Sequence, residues 1–170
     1  MSIFYVHQGQ TYREERTGGY VWSPQLNKGG WKNAGYTTMT EIRKGDYILH
    51  SVNGKIMAIS VADSDCYEAN QPKELEAAET TVDWNNDGYR VDTHYYDFDN
   101  PLNITEHSEW LRENYINLSA FDVNGRGKQQ YMCNLAYEHA DFILKIAIER
   151  QSDTNVRSVL ENALASLNRR

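Results

Sequence analysis

Two glycine-rich polar loops of the sequence combine the residue types that bind an extruded nucleobase. The first loop has aromatic and polar side chains at Trp22, Ser23, Asn27, Lys28, Trp31, Lys32, Asn33 and Tyr36. The second loop is the run Asn124-Gly125-Arg126-Gly127-Lys128-Gln129-Gln130. Aromatic rings stack on the faces of a base, amides read its edge, and Lys or Arg binds phosphates. The alternative is that Trp22 and Trp31 anchor the core and that both loops are merely hydrophilic, and composition alone favours this alternative.

Other chemistry-bearing residues show no recognisable catalytic pattern. The histidines form no HExxH or HxH motif and no cluster with cysteine, so we expect no metal site. The acidic residues of segments 63–65 and 92–99 are typical of a solvated surface, and Cys66 and Cys133 have no activating partner nearby in the sequence. The chain also has no P-loop, GxGxxG or GxSxG motif. The sequence therefore predicts neither an enzyme nor a cofactor.

Charge and composition limit the classes of protein that the chain can belong to. The 170 residues carry a net charge of −7, which argues mildly against nonspecific nucleic-acid binding. Residues 59–124 have three Lys/Arg against fifteen Asp/Glu, whereas residues 1–58 have seven against four and residues 125–170 seven against five. The two ends can therefore fold into a neutral-to-basic face. The chain has no apolar run that could span a membrane, and its first ten residues lack the basic start and apolar core that a signal peptide has. Its two distant cysteines fit a reducing cytoplasm.

The local patterns predict an α+β fold in which a curved, mostly antiparallel sheet or barrel has helices at its edges. The clearest signal is a hairpin, because the β-rich runs 47–52 and 55–62 flank Asn53-Gly54. Further strands are expected at 3–7, 20–22, 88–98 and 131–135, with Asn100-Pro101 ending the strand 88–98. Helical patterns occupy 73–79, 105–111, 137–150 and 152–168.

Four motifs in combination resemble one protein family. They are the opening strand with HQGQTY at 7–12, the turn GGYVWSP at 18–24, the hairpin GDYILHSVNGKIMAIS at 45–60, and the strand WNNDGYRVD with the following NP at 84–101. Together they resemble the N-terminal specificity domain that precedes HNH nuclease domains in bacterial modification-dependent restriction enzymes. That domain is similar to the EVE and YTH domains of the PUA-like superfamily. The resemblance covers about residues 3–148 and implies a small curved β-barrel with peripheral helices at 1–150, followed by a C-terminal or linker helix at 151–170.

The family resemblance also implies a function, which is to flip a modified base out of duplex DNA into an aromatic pocket. The base is expected to be a cytosine with a methyl, hydroxymethyl or larger 5-substituent. Trp22-Ser23 matches the position of one pocket wall, and His7, Gln8 and Gln10 are expected to face the pocket. The candidates for a second wall are Trp31, Tyr36, Tyr67 and Trp84. In the second loop, Asn124 to Gln129 are expected near the DNA, with Arg126 and Lys128 on phosphates, and Lys28 and Lys32 of the first loop are further candidates for the backbone.

Two departures from the family leave alternatives open. The chain has no HNH residues, so it is either a fragment or a stand-alone reader that acts with a nuclease partner, and its acidity implies few phosphate contacts. One alternative is an RNA-binding module that reads a modified base. The others are a small hydrolase that uses His94 or His107 with an Asp, and a purely structural or oligomerising domain.

Overall fold

The computed structural model describes residues 1–78 and 87–169, and the strands among them form a curved mixed sheet that curls into a half-barrel. These strands are Ile3–His7 (β1), Tyr20–Pro24 (β2), Tyr47–Val52 (β3), Lys55–Ala62 (β4), Tyr67–Asn70 (β5), Asp87–Asn103 (β6) and Met132–Asn134 (β7). Their order is β2-β6-β4-β3-β1-β7, and β5 pairs with β6. β1 runs parallel to β3, and the other pairs are antiparallel. The expected mostly antiparallel, curved sheet is confirmed.

Helices surround the sheet. They are Tyr12–Gly18 (α1), Ala34–Thr37 (α2), Lys73–Ala78 (α3), Ser108–Glu113 (α4), Tyr137–Arg150 (α5) and Thr154–Leu167 (α6), with 3-10 turns at Thr38–Glu41 and Ile104–His107. α6 begins where the side chain of Asp153 accepts hydrogen bonds from the backbone N–H groups of Asn155 and Val156. None of the helices in residues 1–78 and 87–169 is long and apolar enough to cross a membrane.

Two strand predictions have different outcomes. The β3–β4 hairpin has the predicted bounds, because Asn53 and Gly54 adopt the positive φ angles of 50° and 79° that a tight two-residue turn requires. The predicted end of the long strand at Asn100-Pro101 is wrong. β6 pairs with β4 again at Leu102 and Asn103, because residues 98–101 bulge out of the ladder and the pairing resumes beyond them.

The β1–β3 part of the sheet has a different core on each face. One face packs against α5 and α6, and its buried residues include Tyr5, Leu49, Leu144 and Leu160. The opposite face encloses Phe4, Val6, Ile48 and Met132, among others. Since successive strand residues point to opposite faces, Tyr5 and His7 share the first face, while Val6 faces the second. This alternation determines which polar residues meet at the end of β1.

Candidate functional site

A cavity of about 790 Å³ opens at the end of β1, between the β3–β4 turn, the start of α4 and the segment Gly125–Tyr131. Its lining includes His7 from β1, Ser51 from β3, Thr105 from the turn after β6, and Arg126 and Lys128 from the second loop. Cavities of about 300–1,000 Å³ are typical of sites that enclose a small ligand. The cavity is therefore large enough for a nucleoside, and it joins residues from four separate parts of the chain.

The floor of the cavity has polar atoms without partners. Tyr5 Oη, His7 Nε2 and Ser51 Oγ are buried, and none of them makes a hydrogen bond of normal geometry with any described residue. Tyr5 and Ser51 are both fully buried. Burial raises the pKa of Tyr5, while the nearby Ser51 hydroxyl acts in the opposite direction. Burial also lowers the pKa of His7, so its imidazole is neutral near pH 7. The floor is therefore uncharged, and its buried donors and acceptors can bond to a ligand only if a neighbouring group moves, as is also true of Trp22.

Hydrogen bonds to a side chain stabilise the second loop as a turn, and this turn forms one side of the cavity. Asp122 Oδ1 accepts hydrogen bonds from the backbone N–H groups of Asn124 at 2.9 Å and Arg126 at 3.0 Å. Gly125 has a φ of 73°, and a Cβ there would lie 2.0 Å from the carbonyl oxygen of Ser108. A Cβ on Gly127 would lie 2.7 Å from His7 Cε1. Glycine at these two positions lets the loop lie against α4 and against the His7 ring.

A buried polar network lies behind the cavity, on the opposite face of β1 and β3. The Gln8 amide nitrogen donates to Glu15 Oε2 at 3.1 Å and to the Tyr95 hydroxyl at 2.9 Å. The Gln8 carbonyl oxygen lies 2.6 Å from His50 Nδ1, and because that oxygen can only accept, Nδ1 carries the imidazole proton. Burial lowers the pKa of His50 to about 3, so this ring stays neutral. The network fixes the backbone from which His7 projects into the cavity.

Glu15 is the most unusual member of this network. It is fully buried, and burial raises its pKa to about 7 against the opposing effect of its hydrogen bonds. Its carboxyl group accepts from Thr11 Oγ1, from the backbone N–H of Trp22 and from the Tyr131 hydroxyl. Glu15 thereby joins α1 to β2 and to Tyr131, which lines the cavity.

The structure separates the residues that were expected to share one pocket. His7, Arg126, Lys128 and Gln129 line the cavity, whereas Gln8 faces the opposite network and Gln10 is exposed and outside the lining. His7 and Gln8 diverge because adjacent residues at the end of a strand point to opposite faces. Asn124 is exposed at the tip of the second loop, also outside the lining.

Trp22 and Ser23 are buried in this structure. The Trp22 ring is 1% exposed, its Nε1 donates to the Ala69 carbonyl oxygen at 3.0 Å, and a Cβ on Gly88 would lie 2.2 Å from the ring. Ser23 Oγ donates to the Pro24 carbonyl oxygen. A base can stack on Trp22 only if a packed neighbour moves, so the role of Trp22 as a pocket wall stays a prediction. A second cavity of about 500 Å³ beside Ala69 and Gly88 has Glu68 and Asp87 in its lining and no cation among the described residues there.

The described candidates for a second wall lie in three different parts of the chain. Trp31 is 73% exposed at the tip of the first loop, with the exposed Lys28 and Lys32 on either side. Tyr36 is half-buried in α2, and the Tyr67 hydroxyl donates to Asp92 Oδ2. Trp84 lies outside the described residues. None of the described candidates lines the cavity.

Sequence reasoning singled out His7 of the floor and Gln8 of the network but missed their other members. Tyr5, Ser51, Glu15 and His50 contribute most to the floor and the network, and only the adjacent polar pair His50-Ser51 within an apolar strand signalled a special position. The register of β3 against β4 shifts between these two residues, and such irregularities are frequent next to functional sites. Among the described residues, no three His, Cys, Asp or Glu side chains are grouped so that they could hold a metal ion.

Comparisons with known proteins identify the fold. No protein-family model and no curated protein matches the sequence. The YTH domain of Zygosaccharomyces rouxii MRB1, solved with N6-methyladenosine RNA, matches with a TM-score of 0.53 and 11% identity over 86% of each chain. The Pho92 YTH domain, solved with m6A, matches with a TM-score of 0.51 and 11% identity over 86% of this chain and 85% of that one. A Pseudomonas putida protein matches with a TM-score of 0.56 and 12% identity over 86% and 99%. The expected PUA-like, EVE/YTH-like fold is confirmed.

Proposed function

We propose that this chain is a reader of modified DNA that holds one extruded base in the cavity at the end of β1. The observation that carries the proposal is the uncharged polar floor of Tyr5, His7 and Ser51 beneath a rim with Arg126 and Lys128. A ligand for such a site has a polar group that enters and an anionic part that stays outside. A nucleotide in a strand has this arrangement, with its base inside and its phosphates at the rim.

The base must leave its duplex to reach the floor. The cavity accepts a single nucleoside but no base pair within a helix, so binding requires the base to flip out. Flipping costs a few kcal/mol, and contacts inside the pocket have to offset that cost. Because the chain carries a net charge of −7, we expect phosphate contacts to supply a small share of the affinity.

The polar floor favours a hydrogen-bonding substituent on the base. A ligand that enters the floor without bonding to Tyr5 Oη and Ser51 Oγ leaves each group unsatisfied, at a cost of about 1–3 kcal/mol. A methyl group forms no hydrogen bond with either atom, whereas a hydroxyl both donates and accepts hydrogen bonds. Among 5-substituted cytosines we therefore propose hydroxymethylcytosine ahead of methylcytosine.

The biological setting is a proposal as well. The motif resemblance supports a specificity module of a modification-dependent restriction system, in which a nuclease domain or subunit cuts the DNA that this chain selects. In that role the chain itself binds and does not catalyse. His94 and His107, the residues of the hydrolase alternative, contact the rings of Tyr96 and Phe142.

A second candidate function is reading a modified base in RNA. It is favoured by the structural likeness to two YTH domains that were solved with N6-methyladenosine RNA and m6A. The two candidate functions differ in the nucleic acid that is bound, which is DNA in the first and RNA in the second. Binding to matched DNA and RNA oligonucleotides distinguishes them.

The test is fluorescence-anisotropy binding to one sequence at two salt concentrations. The ligands are a duplex with cytosine, 5-methylcytosine, 5-hydroxymethylcytosine or N6-methyladenine, and a single-stranded RNA with N6-methyladenosine. We expect at least a tenfold preference for hydroxymethylcytosine duplex with a shallow salt dependence. Preference for the RNA would favour the second candidate, and equal, steeply salt-dependent binding to all ligands would exclude both.

A further inference from the structure

Trp31 stands at the tip of a turn that the first loop builds with its own side chains. Asn27 Oδ1 accepts hydrogen bonds from the backbone N–H groups of Gly29 at 3.1 Å and Trp31 at 3.0 Å. The Asn27 N–H donates to the Trp31 carbonyl oxygen at 2.9 Å, and Leu26 and Lys32 form an isolated β-bridge below the turn. These bonds hold the backbone of Trp31 in one orientation, so its indole projects from an ordered turn.

The indole ring is exposed although it is packed on one side. A Cβ at Gly29 would lie 2.9 Å from Trp31 Cδ1, so glycine at this position lets the ring lie against the turn. Even so, 73% of Trp31 is exposed, and neither of the two cavities described above includes it in its lining. An exposed tryptophan on a structured turn is typical of a contact with a binding partner, because tryptophan offers a large rigid surface.

The turn is anchored beside the cavity. The Asn33 side chain accepts from the N–H groups of Gly35 and Tyr36 and so begins α2. A Cβ on Gly35 would lie 2.8 Å from the backbone nitrogen of Tyr131, which lines the cavity. Trp31 is four residues from Gly35, a span of at most about 14 Å. The exposed ring therefore lies within reach of a duplex whose base occupies the cavity, and Lys28 and Lys32 flank it in the sequence.

We propose that Trp31 is a wedge that enters the duplex and fills the stack that the flipped base vacates. This inference rests on the proposed function. It adds a side chain that occupies the gap left in the duplex by the flipped base. Apolar side chains that enter between base steps are a known means of holding DNA in an opened form. An indole gives back part of the stacking lost on flipping, and the exposed Lys28 and Lys32 of the same loop are cations that can contact nearby phosphates.

The test compares a paired duplex with a duplex in which the same modified cytosine is a bulge without a partner. The variants are Trp31→Ala and Trp31→Phe, with Leu118→Ala as the control, since Leu118 is 78% exposed and lies in a different loop. Trp31→Ala is expected to weaken binding to the paired duplex by about 5- to 150-fold, the range for loss of one stacked ring. It should leave binding to the bulged duplex unchanged, because the base is already extruded there. Trp31→Phe should restore part of the affinity, and Leu118→Ala should bind both ligands as the wild type does.

Two results would overturn the wedge. One is an equal loss on the paired and the bulged duplex, which would mean that Trp31 contacts the extruded base or the backbone. The other is no loss on either ligand. Failure of the proposed function is separate from both, because it appears in the wild-type protein as equal affinity for modified and unmodified duplex.

Discussion

Replacing Glu15 with Gln should change how the stability of the protein depends on pH. Burial raises the pKa of Glu15 to about 7 in the folded state, against an ordinary value of 4.5 in the unfolded chain. The folded protein therefore keeps the proton over a pH range in which the unfolded chain has lost it. The stability that comes from this difference is fully present below pH 4.5 and is lost as the pH rises through 7.

The size of the effect follows from the difference in pKa. One pKa unit corresponds to about 1.36 kcal/mol, so the complete change is about 3 kcal/mol, most of it between about pH 5 and pH 8. The amide introduced by Glu15→Gln can mimic the protonated acid, since its oxygen accepts the bonds from Gln8, Trp22 and Tyr131 while its nitrogen donates to Thr11 Oγ1. Glu15→Gln should therefore match the wild type below about pH 4.5 and exceed its free energy of unfolding by a margin that grows with pH to about 3 kcal/mol at pH 8.

Urea unfolding followed by tryptophan fluorescence at pH 5, 6, 7 and 8 measures this difference. Glu161→Gln, at an exposed position of α6, is the matched control and should follow the wild type at every pH. The reasoning would be refuted if the difference between Glu15→Gln and the wild type stayed constant from pH 5 to pH 8. It would also be refuted if the difference grew in favour of the wild type as the pH rises.

Three further outcomes concern the second loop. Gly127→Ala should weaken binding of modified duplex while the melting temperature changes little, because the added Cβ would lie 2.7 Å from the His7 ring and displace it. Unchanged affinity would show that His7 does not contact the base. Arg126→Ala and Lys128→Ala should each lower the slope of log K against log salt by about 0.9 without changing base preference, whereas an unchanged slope would remove that residue from the phosphate contacts. Gly125→Ala should destabilise the fold by more than about 1 kcal/mol in thermal unfolding, because the φ of Gly125 is 73° and the added Cβ would collide with the Ser108 backbone. A wild-type melting temperature would contradict the close approach of Gly125 to Ser108.

Local sequence signals predicted the elements that local interactions determine. The β3–β4 hairpin follows from Asn53-Gly54 between two β-rich runs, and α5 and α6 follow from their apolar spacing. α1 was missed because its seven residues, YREERTG, have no apolar period. Its one buried side chain is Glu15, and from the sequence a glutamate is expected on the surface. Tertiary hydrogen bonds made this position internal.

The sequence predicted the residues that the second loop gives to the site and His7 at the end of β1. Arg126 and Lys128 were expected near the ligand from the composition of their loop and the family resemblance, and both line the cavity. Tyr5 has the pattern of an ordinary strand residue, and it forms a polar floor with Ser51 because the parallel pairing of β1 and β3 places them on one face. That pairing joins Ile3 to Tyr47 and His7 to Ser51, which are far apart in the chain, and no local pattern specifies it.

The central claim is that the polar floor reads a modified base, and the preference ratio of a floor variant tests it most directly. The ratio is the dissociation constant for unmodified duplex divided by that for hydroxymethylcytosine duplex, measured by fluorescence anisotropy for the wild type, Ser51→Ala and Trp22→Phe. We expect a ratio of at least ten in the wild type and in Trp22→Phe. We expect it to fall about 5-fold or more in Ser51→Ala, with affinity for unmodified duplex unchanged. A wild-type ratio near one would contradict base reading, and a ratio lost in Trp22→Phe but kept in Ser51→Ala would move the base from the cavity to Trp22.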